Sequence, residues 1–376
     1  MKIGVDARLL SRPIKGMGRY ILEMCRALSN IKNITLYLYS PAPINNNIVS
    51  VLESATIKTH SWNNGLLRQI WSESYLPLWA REDEIDVFWG PSHRLPRLLS
   101  SRVARVVTIH DLVWKYAKET MRPSTYFLEK FQMPAAALKA DLIVASSYST
   151  KDAVITEFNV KRQNIFVIPL AAGNTLSTSS FDSLERHDID KPYFLFVGTL
   201  EPRKNLANLL NAYAILSNSI KSKAIFVIAG GKGWGGLNLK EMIAQLDLTE
   251  NVKVLGYVDD KTLATLYSNA QFLVMPSLYE GFGLPLVEAM SYGTPVLTAN
   301  NSSMPEVACN AGLLVDALDV KSVADGLKEM ITNNELRERL AKNAKLNASR
   351  FSWDESAIKL IKVFEKAIEI RQNKIS

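Results

Sequence analysis

With 376 residues, 47% hydrophobic and 22% charged, the chain has the make-up of an ordinary globular protein and the length of two domains. Two cysteines, Cys25 and Cys309, far apart in apolar surroundings, exclude a disulfide framework or thiolate cluster and suit a reducing cytoplasm; no apolar run nears the roughly 18 residues that cross a bilayer. The formal charge of +7 is uneven: Met1–Asp188 holds 23 Lys+Arg against 17 Asp+Glu, and the remainder 21 against 20, so the N-terminal half is the one to meet nucleic acid, an anionic membrane face or a phosphate-bearing substrate.

The first apolar run, Ile3–Val5, is cut short by Asp6 and Arg8, which argues against a signal peptide. It reads as a strand, and Gly16-Met17-Gly18-Arg19 lies between it and a helix reaching about Leu28. A Gly-x-Gly there lets backbone approach an anion at the helix start, but a plain turn is an equal reading. The third glycine of a dinucleotide fingerprint is missing, and no acidic residue follows the next strand, Ile34–Tyr39, so no NAD site is expected.

Further strands are expected at Asp86–Trp89, Val106–Ile109, Leu142–Ala145 and Ile165–Ile168. A second series is expected at Tyr193–Val197, Ala224–Ala229, Val252–Leu255, Phe272–Met275, Pro295–Thr298 and Leu313–Val315. These runs are short and continuously apolar, as in strands buried on both faces, and they alternate with helical patterns. That alternation predicts an α/β protein built from parallel, doubly wound sheets. The series breaks between Leu170 and Lys191, where Gly173 and a Ser/Thr run precede a charged stretch. The division is therefore an N-terminal domain over 1–172, a linker over 173–190, a C-terminal domain over 191–350 and a terminal helix over 351–376. Ser352-x-x-Glu355 caps that helix, its apolar stripe runs through Trp353, Ala357, Ile361, Phe364 and Ile368, and it is expected to pack back on the N-terminal domain.

Ligands of such sheets bind beyond the carboxyl ends of the strands, so the shared site is expected in a cleft between two facing domains. His110 and Asp111 end one strand, with His93 ending another as a weaker candidate; alone, His110 is more often a structural hydrogen-bonding residue. Gly198–Asn205 ends the first strand of the second half, and its adjacent Arg203 and Lys204 suit a diphosphate, with Asn205 available as a helix cap. Glu280-Gly281-Phe282-Gly283-Leu284-Pro285-Leu286-Val287-Glu288 follows the strand ending at Met275. Pro285 starts a helix there and Gly293 ends it, so its first amides form a phosphate-friendly end, with Glu288 one turn inside, within reach of a diol. Gly230-Gly231-Lys232-Gly233 lacks the Gly-Lys-Ser/Thr spacing of an ATP-hydrolysing loop. Glu82-Asp83-Glu84 and Asp188-Ile189-Asp190 read as solvated charge, and no metal is expected.

Taken together, Glu201–Asn205, Glu280–Glu288, Pro295 and Pro305-Glu306, with the N-terminal glycine pair and His110-Asp111, resemble the retaining GT-B glycosyltransferases of family four. The resemblance covers essentially the whole chain and is strongest to the mannosyltransferase-type members that build bacterial surface polysaccharides. It implies a nucleotide-diphosphate sugar donor, with GDP-mannose first and UDP-glucose second. It also implies a saccharide or lipid-linked acceptor, no cofactor, no nucleic-acid partner, and a cytoplasmic enzyme with peripheral contact to an anionic membrane. By the same resemblance Arg203 and Lys204 hold the diphosphate, Glu288 the ribose, and Glu280 with the amides of Phe282, Gly283 and Leu284 the sugar hydroxyls. Leu286 and Val287 complete that wall. His110, with Asp111 beside it, reaches the transferred sugar, Gly16 and Gly18 admit the phosphates, and the base lies near Tyr257 and Val258. No carboxylate nucleophile stands out, in keeping with a same-face displacement assisted by the departing phosphate. The alternatives are a nucleotide-sugar epimerase of the same architecture and a non-catalytic ligand-binding protein.

Overall fold

A computed structural model describes residues 1–14, 16–62, 64–173, 184, 187–236 and 238–374. The chain divides into two compact units: Met1–Leu112 with Phe127–Leu170 and Ser352–Ser376, and Val113–Tyr126 with Ala171–Phe351. Most of the expected linker lies outside the described residues.

The first unit holds a seven-stranded sheet of β1 (Lys2–Asp6), β2 (Thr35–Ser40), β3 (Thr56–Thr59), β4 (Val87–Gly90), β5 (Ala104–Ile109), β6 (Leu142–Ala145) and β7 (Ile165–Val167). Its order is β3-β2-β1-β4-β5-β6-β7, and every pairing is parallel. The second unit holds β8 (Tyr193–Val197), β9 (Ile225–Ala229), β10 (Val252–Gly256), β11 (Leu273–Met275), β12 (Val296–Ala299) and β13 (Gly312–Val315), ordered β10-β9-β8-β11-β12-β13 and again parallel. Both are doubly wound α/β sheets, as the alternating pattern predicts. The strand order reverses between β1 and β4 in one and between β8 and β11 in the other.

Central strands are buried on both faces, which is why they read as continuous apolar runs. In the second unit Phe194 of β8 stacks between Phe226 of β9 and Phe272, with ring centroids 4.7 and 5.2 Å apart. Edge strand β3 escaped the sequence reading. Its Thr-Ile-Lys-Thr carries one aliphatic residue and pairs on one side only, so nothing in its composition sets it apart from a loop. In the acidic run beside it Lys58 lies 2.7 Å from Asp83 and 3.6 Å from Glu82; Asp83 is part-buried rather than solvated, because it also accepts the Tyr39 hydroxyl at 2.9 Å.

The helix Trp353–Asn373 belongs to the first unit, and its cap forms through Ser352, whose hydroxyl accepts the Glu355 amide. Its buried face differs from the expected stripe. Trp353, Ser356, Ala357, Leu360, Val363, Phe364 and Ala367 are buried, and Ile361 and Ile368 are only partly so, because a 3.6-residue repeat drifts away from a steady four-residue step. Trp353 packs on Tyr20 and Phe364 on Trp89, and Asp141 clamps the far end by accepting from Arg371 at 2.6 Å and Lys374 at 3.0 Å.

Val113–Tyr126, read from sequence as part of the N-terminal domain, groups with the second unit through its own side chains. Val113 and Ala117 are buried with Tyr279, Tyr116 stacks on Tyr279 at 5.5 Å, and Trp234 Nε1 donates to the Thr120 carbonyl at 3.1 Å.

Candidate active site

In the second unit the chemistry-bearing residues gather where the strand order reverses. The turn after β8 carries Arg203 and Lys204, and the turn after the neighbouring β11 carries Glu280. A doubly wound sheet opens a crevice at such a switch point, because the connections on either side leave in opposite directions. Glu280 is buried at 7% exposure and binds both cations: Oε2 lies 2.6 Å from Arg203 Nη1 and Oε1 2.7 Å from Lys204 Nζ. Burial works against its carboxylate, but Arg203 and Lys204 outweigh it and bring the pKa down to about 2. Arg203 also donates to Glu201 at 2.6 Å and to the Tyr279 carbonyl at 2.8 Å. The two cations are thus fixed in direction before any ligand is considered.

Asn205 does not cap the following helix. Its φ of 60° places it in the left-handed region, and its side-chain amide donates to the carbonyls of Pro276 and Ala317 at 3.1 and 2.7 Å. It stitches the cationic turn to the ends of β11 and β13. The glycines 230 and 233 likewise have packing work: a Cβ on Gly230 would meet the Gly198 carbonyl oxygen at 1.8 Å, and one on Gly233 the Leu200 oxygen at 2.0 Å. Gly230 also donates to Gly256 at 2.8 Å, which aligns Gly256-Tyr257-Val258 with this loop; Tyr257 is 77% exposed.

Gly283, with φ of 92°, starts the helix Leu284–Ser291, and Pro285 lies in its first turn. At that positive end Pro285 carries no N–H and the Leu286 amide donates to the Gly283 carbonyl at 2.9 Å, so among the first three helical residues it is the Leu284 amide that has no intrahelical acceptor. Phe282 is buried edge-on against Phe351 at 5.5 Å, and Leu286 and Val287 are in the core, so they hold the turn rather than face solvent. Glu288 is half-buried and accepts the Tyr267 hydroxyl at 2.8 Å, which orients its carboxylate. Ser302 and Ser303 fix the Glu280 backbone at 3.0 and 2.9 Å.

In the first unit the reversal between β1 and β4 again collects charge. Arg8 binds Asp6 bidentately, with Nε 2.8 and 2.9 Å from the two carboxylate oxygens, and its Nη2 donates to Ser72 at 2.7 Å. The sequence reading missed this buried pair; the signal was Asp-x-Arg at the end of the first strand. Gly16 begins the first helix, and a Cβ there would meet nothing within 4 Å, whereas Gly18 is buried beside Ile14 and the Leu9 carbonyl.

His110 follows β5, next to β4. Its Nε2 donates to the Pro91 carbonyl at 2.9 Å, Tyr20 meets its ring edge-on at 4.6 Å, and Nδ1 has no hydrogen-bond partner among the described residues. Burial, then the neighbouring His93, pushes its pKa down to about 3, so at neutral pH the ring is uncharged and Nδ1 accepts. His93 accepts the His110 amide on Nε2 at 3.0 Å and donates from Nδ1 to Glu129 at 3.1 Å. Burial opposes a charge on His93, but the Glu129 carboxylate, with Asp111, outweighs it and raises its pKa. Asp111 is half-buried next to this cluster.

The His110 environment sets a pH dependence. Because its folded pKa lies below the ordinary 6.5, the stability it contributes is complete above that value and declines as pH falls towards 3, by about 1.4 kcal/mol per unit. Between pH 6.5 and 5 the loss should reach roughly 2 kcal/mol in urea unfolding. His110→Gln should flatten this slope, and an unchanged slope would refute it.

Among the described residues no group of three or more His, Cys, Asp or Glu is placed to hold a metal ion, and no helix is long and apolar enough to cross a membrane.

Two family models match the chain, one for Glycosyltransferase Family 4 over residues 14–171 and one for glycosyl transferases group 1 over residues 181–347. O-antigen chain mannosyltransferase B of Escherichia coli is 29% identical over 385 residues, covering 97% of this chain and all of that protein. Among solved structures, sucrose-phosphate synthase of Thermosynechococcus elongatus superposes with a TM-score of 0.77 at 19% identity, covering 97% of this chain and 98% of that one. The Anabaena protein HepE in complex with UDP and glucose gives 0.76 at 18%, covering 97% and 100%. With one model on each half and the same fold in these neighbours, the chain belongs to the family 4 glycosyltransferases of GT-B fold.

Proposed function

We propose that the enzyme moves a hexose, with anomeric retention and without a metal, from a nucleoside-diphosphate sugar to a saccharide or lipid-linked saccharide during polysaccharide assembly. The observation that carries this is the Arg203–Lys204–Glu280 cluster at the β8/β11 switch point. Two cations fixed in a water-poor turn suit the charge that grows on a departing diphosphate, and they supply what a metal ion supplies elsewhere. The acceptor oxygen bonds to the anomeric carbon while the bond to the β-phosphate oxygen breaks; that oxygen keeps the electron pair and takes the acceptor's proton. Glu280, ionised at neutral pH, accepts from sugar hydroxyls, and Glu288 accepts from the ribose. Mannose is the favoured sugar, since the similar E. coli protein is named a mannosyltransferase; glucose is second, since HepE was solved with UDP-glucose.

The test is release of nucleoside diphosphate across a panel of donors, with and without acceptor, in excess chelator. Acceptor-dependent release that persists in chelator is expected. Conversion of the sugar without any acceptor would indicate epimerisation and overturn the proposal.

We also propose a membrane contact on helix Pro123–Lys139. Phe127, Phe131 and Leu138 share one stripe and are 57, 67 and 70% exposed, and Lys130 and Lys139 are exposed on the same helix. Replacing both phenylalanines by serine should lower co-sedimentation with anionic vesicles at least several-fold, whereas equal pelleting on neutral vesicles would refute an electrostatic contact.

A further inference from the structure

The first unit contains a small polar cavity that the transfer chemistry above does not use. It lies beside the helix Gly65–Glu73, the turn after β4 and the helix Pro123–Lys139, with a volume of about 30 Å³, room for roughly two water molecules. Arg94 forms its inner wall, and exposed Arg97 and Lys139 stand at its rim.

Of these three cations only Arg94 has an ion pair with an acid among the described residues, to Glu129 at 3.7 Å. Arg97 and Lys139 have no ion pair among the described residues. Burial, then the charge of Arg8, works against the Arg94 guanidinium. Glu129 and Asp6 act in the opposite sense, but Glu129 is shared with His93 at 3.1 Å and Asp6 with Arg8 at 2.7 Å. The lining also offers neutral donors. Ser72 accepts from Arg8, which leaves its own proton to donate, and Gln69 accepts from Gln132 at 3.4 Å, which leaves its amide hydrogens. The one carboxylate in the wall, Glu73, is engaged with the Arg97 backbone amide at 2.9 Å.

We propose that this cavity is an anion subsite that binds the phosphate of a phosphate-bearing acceptor. Naming the ligand an acceptor rests on the transferase reading; the anion site itself does not. A phosphate would receive charge-assisted bonds from Arg94, Arg97 and Lys139 and neutral ones from Ser72 and Gln69, with its oxygens taking the space of the two waters.

The test uses the full chain in a Lys204→Ala background, so that phosphate held at the diphosphate turn does not mask the effect. Binding of inorganic phosphate and of glycerol phosphate is measured by calorimetry, before and after Arg97→Gln with Lys139→Gln, and nucleotide binding is measured on the unmodified chain. The double substitution should weaken phosphate binding at least tenfold, while Lys32→Gln with Lys161→Gln, of equal charge change, should leave it unaltered. A parallel arm measures pelleting with phosphatidylglycerol vesicles. Loss in the soluble arm alone assigns a free phosphate, and loss in both assigns a site that also takes lipid headgroups. Phosphate binding that survives the double substitution, or is absent from the start, overturns the subsite. If nucleotide binding is absent as well, the transferase reading falls with it.

Discussion

Lys204→Ala should lower donor-dependent nucleoside diphosphate release by about 10²–10³-fold while the protein stays folded, the range found when one preorganised charge-stabilising donor is removed. The fold should survive because Glu280 keeps its second partner, Arg203 at 2.6 Å, so no buried carboxylate is stranded. Arg203→Ala should be at least as damaging to turnover and worse for stability. It also releases Glu201 and the Tyr279 carbonyl, and with them the link from the cationic turn to the turn after β11. The measurement is single-turnover product release alongside thermal unfolding. Wild-type turnover in both variants would refute the assignment of the diphosphate site, and loss of activity matched by loss of folded protein would reduce these residues to a structural role.

Asp141→Ala should be the most destabilising single change in the first unit outside its apolar core. Asp141 is 3% exposed and accepts from the Arg105 amide at 2.9 Å, from Arg371 at 2.6 Å and from Lys374 at 3.0 Å. Removing it leaves the Arg371 guanidinium, 13% exposed, without a carboxylate partner, and breaking a buried pair from one side costs about 3–5 kcal/mol. Hydrogen exchange should quicken over the last turns of the helix Trp353–Asn373, and the melting temperature should fall by several degrees. The double variant Asp141→Ala with Arg371→Ala should cost less than the sum of the single changes, because the second substitution removes the stranded charge. Additive losses would mean that the contact is not energetically coupled.

The parts of the site that could be read from sequence were those held by neighbours a few residues away. Glu280 and Glu288 flank one turn and its helix, and Arg203 and Lys204 are adjacent, so strand ends and helix starts placed all four. The partners were not legible. Nothing near Glu280 says that its carboxylate meets Lys204 across 76 positions, or that Asn205 reaches Ala317 across 112 instead of capping its own helix. The glycines 230 and 233 look like a phosphate loop in sequence, and only the carbonyls pressed against them show that they permit close packing.

By itself the sequence determined which segments become buried parallel strands and which turns carry charge, since hydrophobic periodicity and turn chemistry act within a few residues. That was enough for the α/β class and for the donor-side candidates. Tertiary structure alone decided the strand orders and their two reversal points, the addition of β3 at an edge, and the grouping of 113–126 with the second unit. It also decided which face the last helix buries and which nitrogen of His110 is left to accept. Each depends on contacts between residues far apart in the chain, where burial and charge act through space and the local pattern carries no record of the partner.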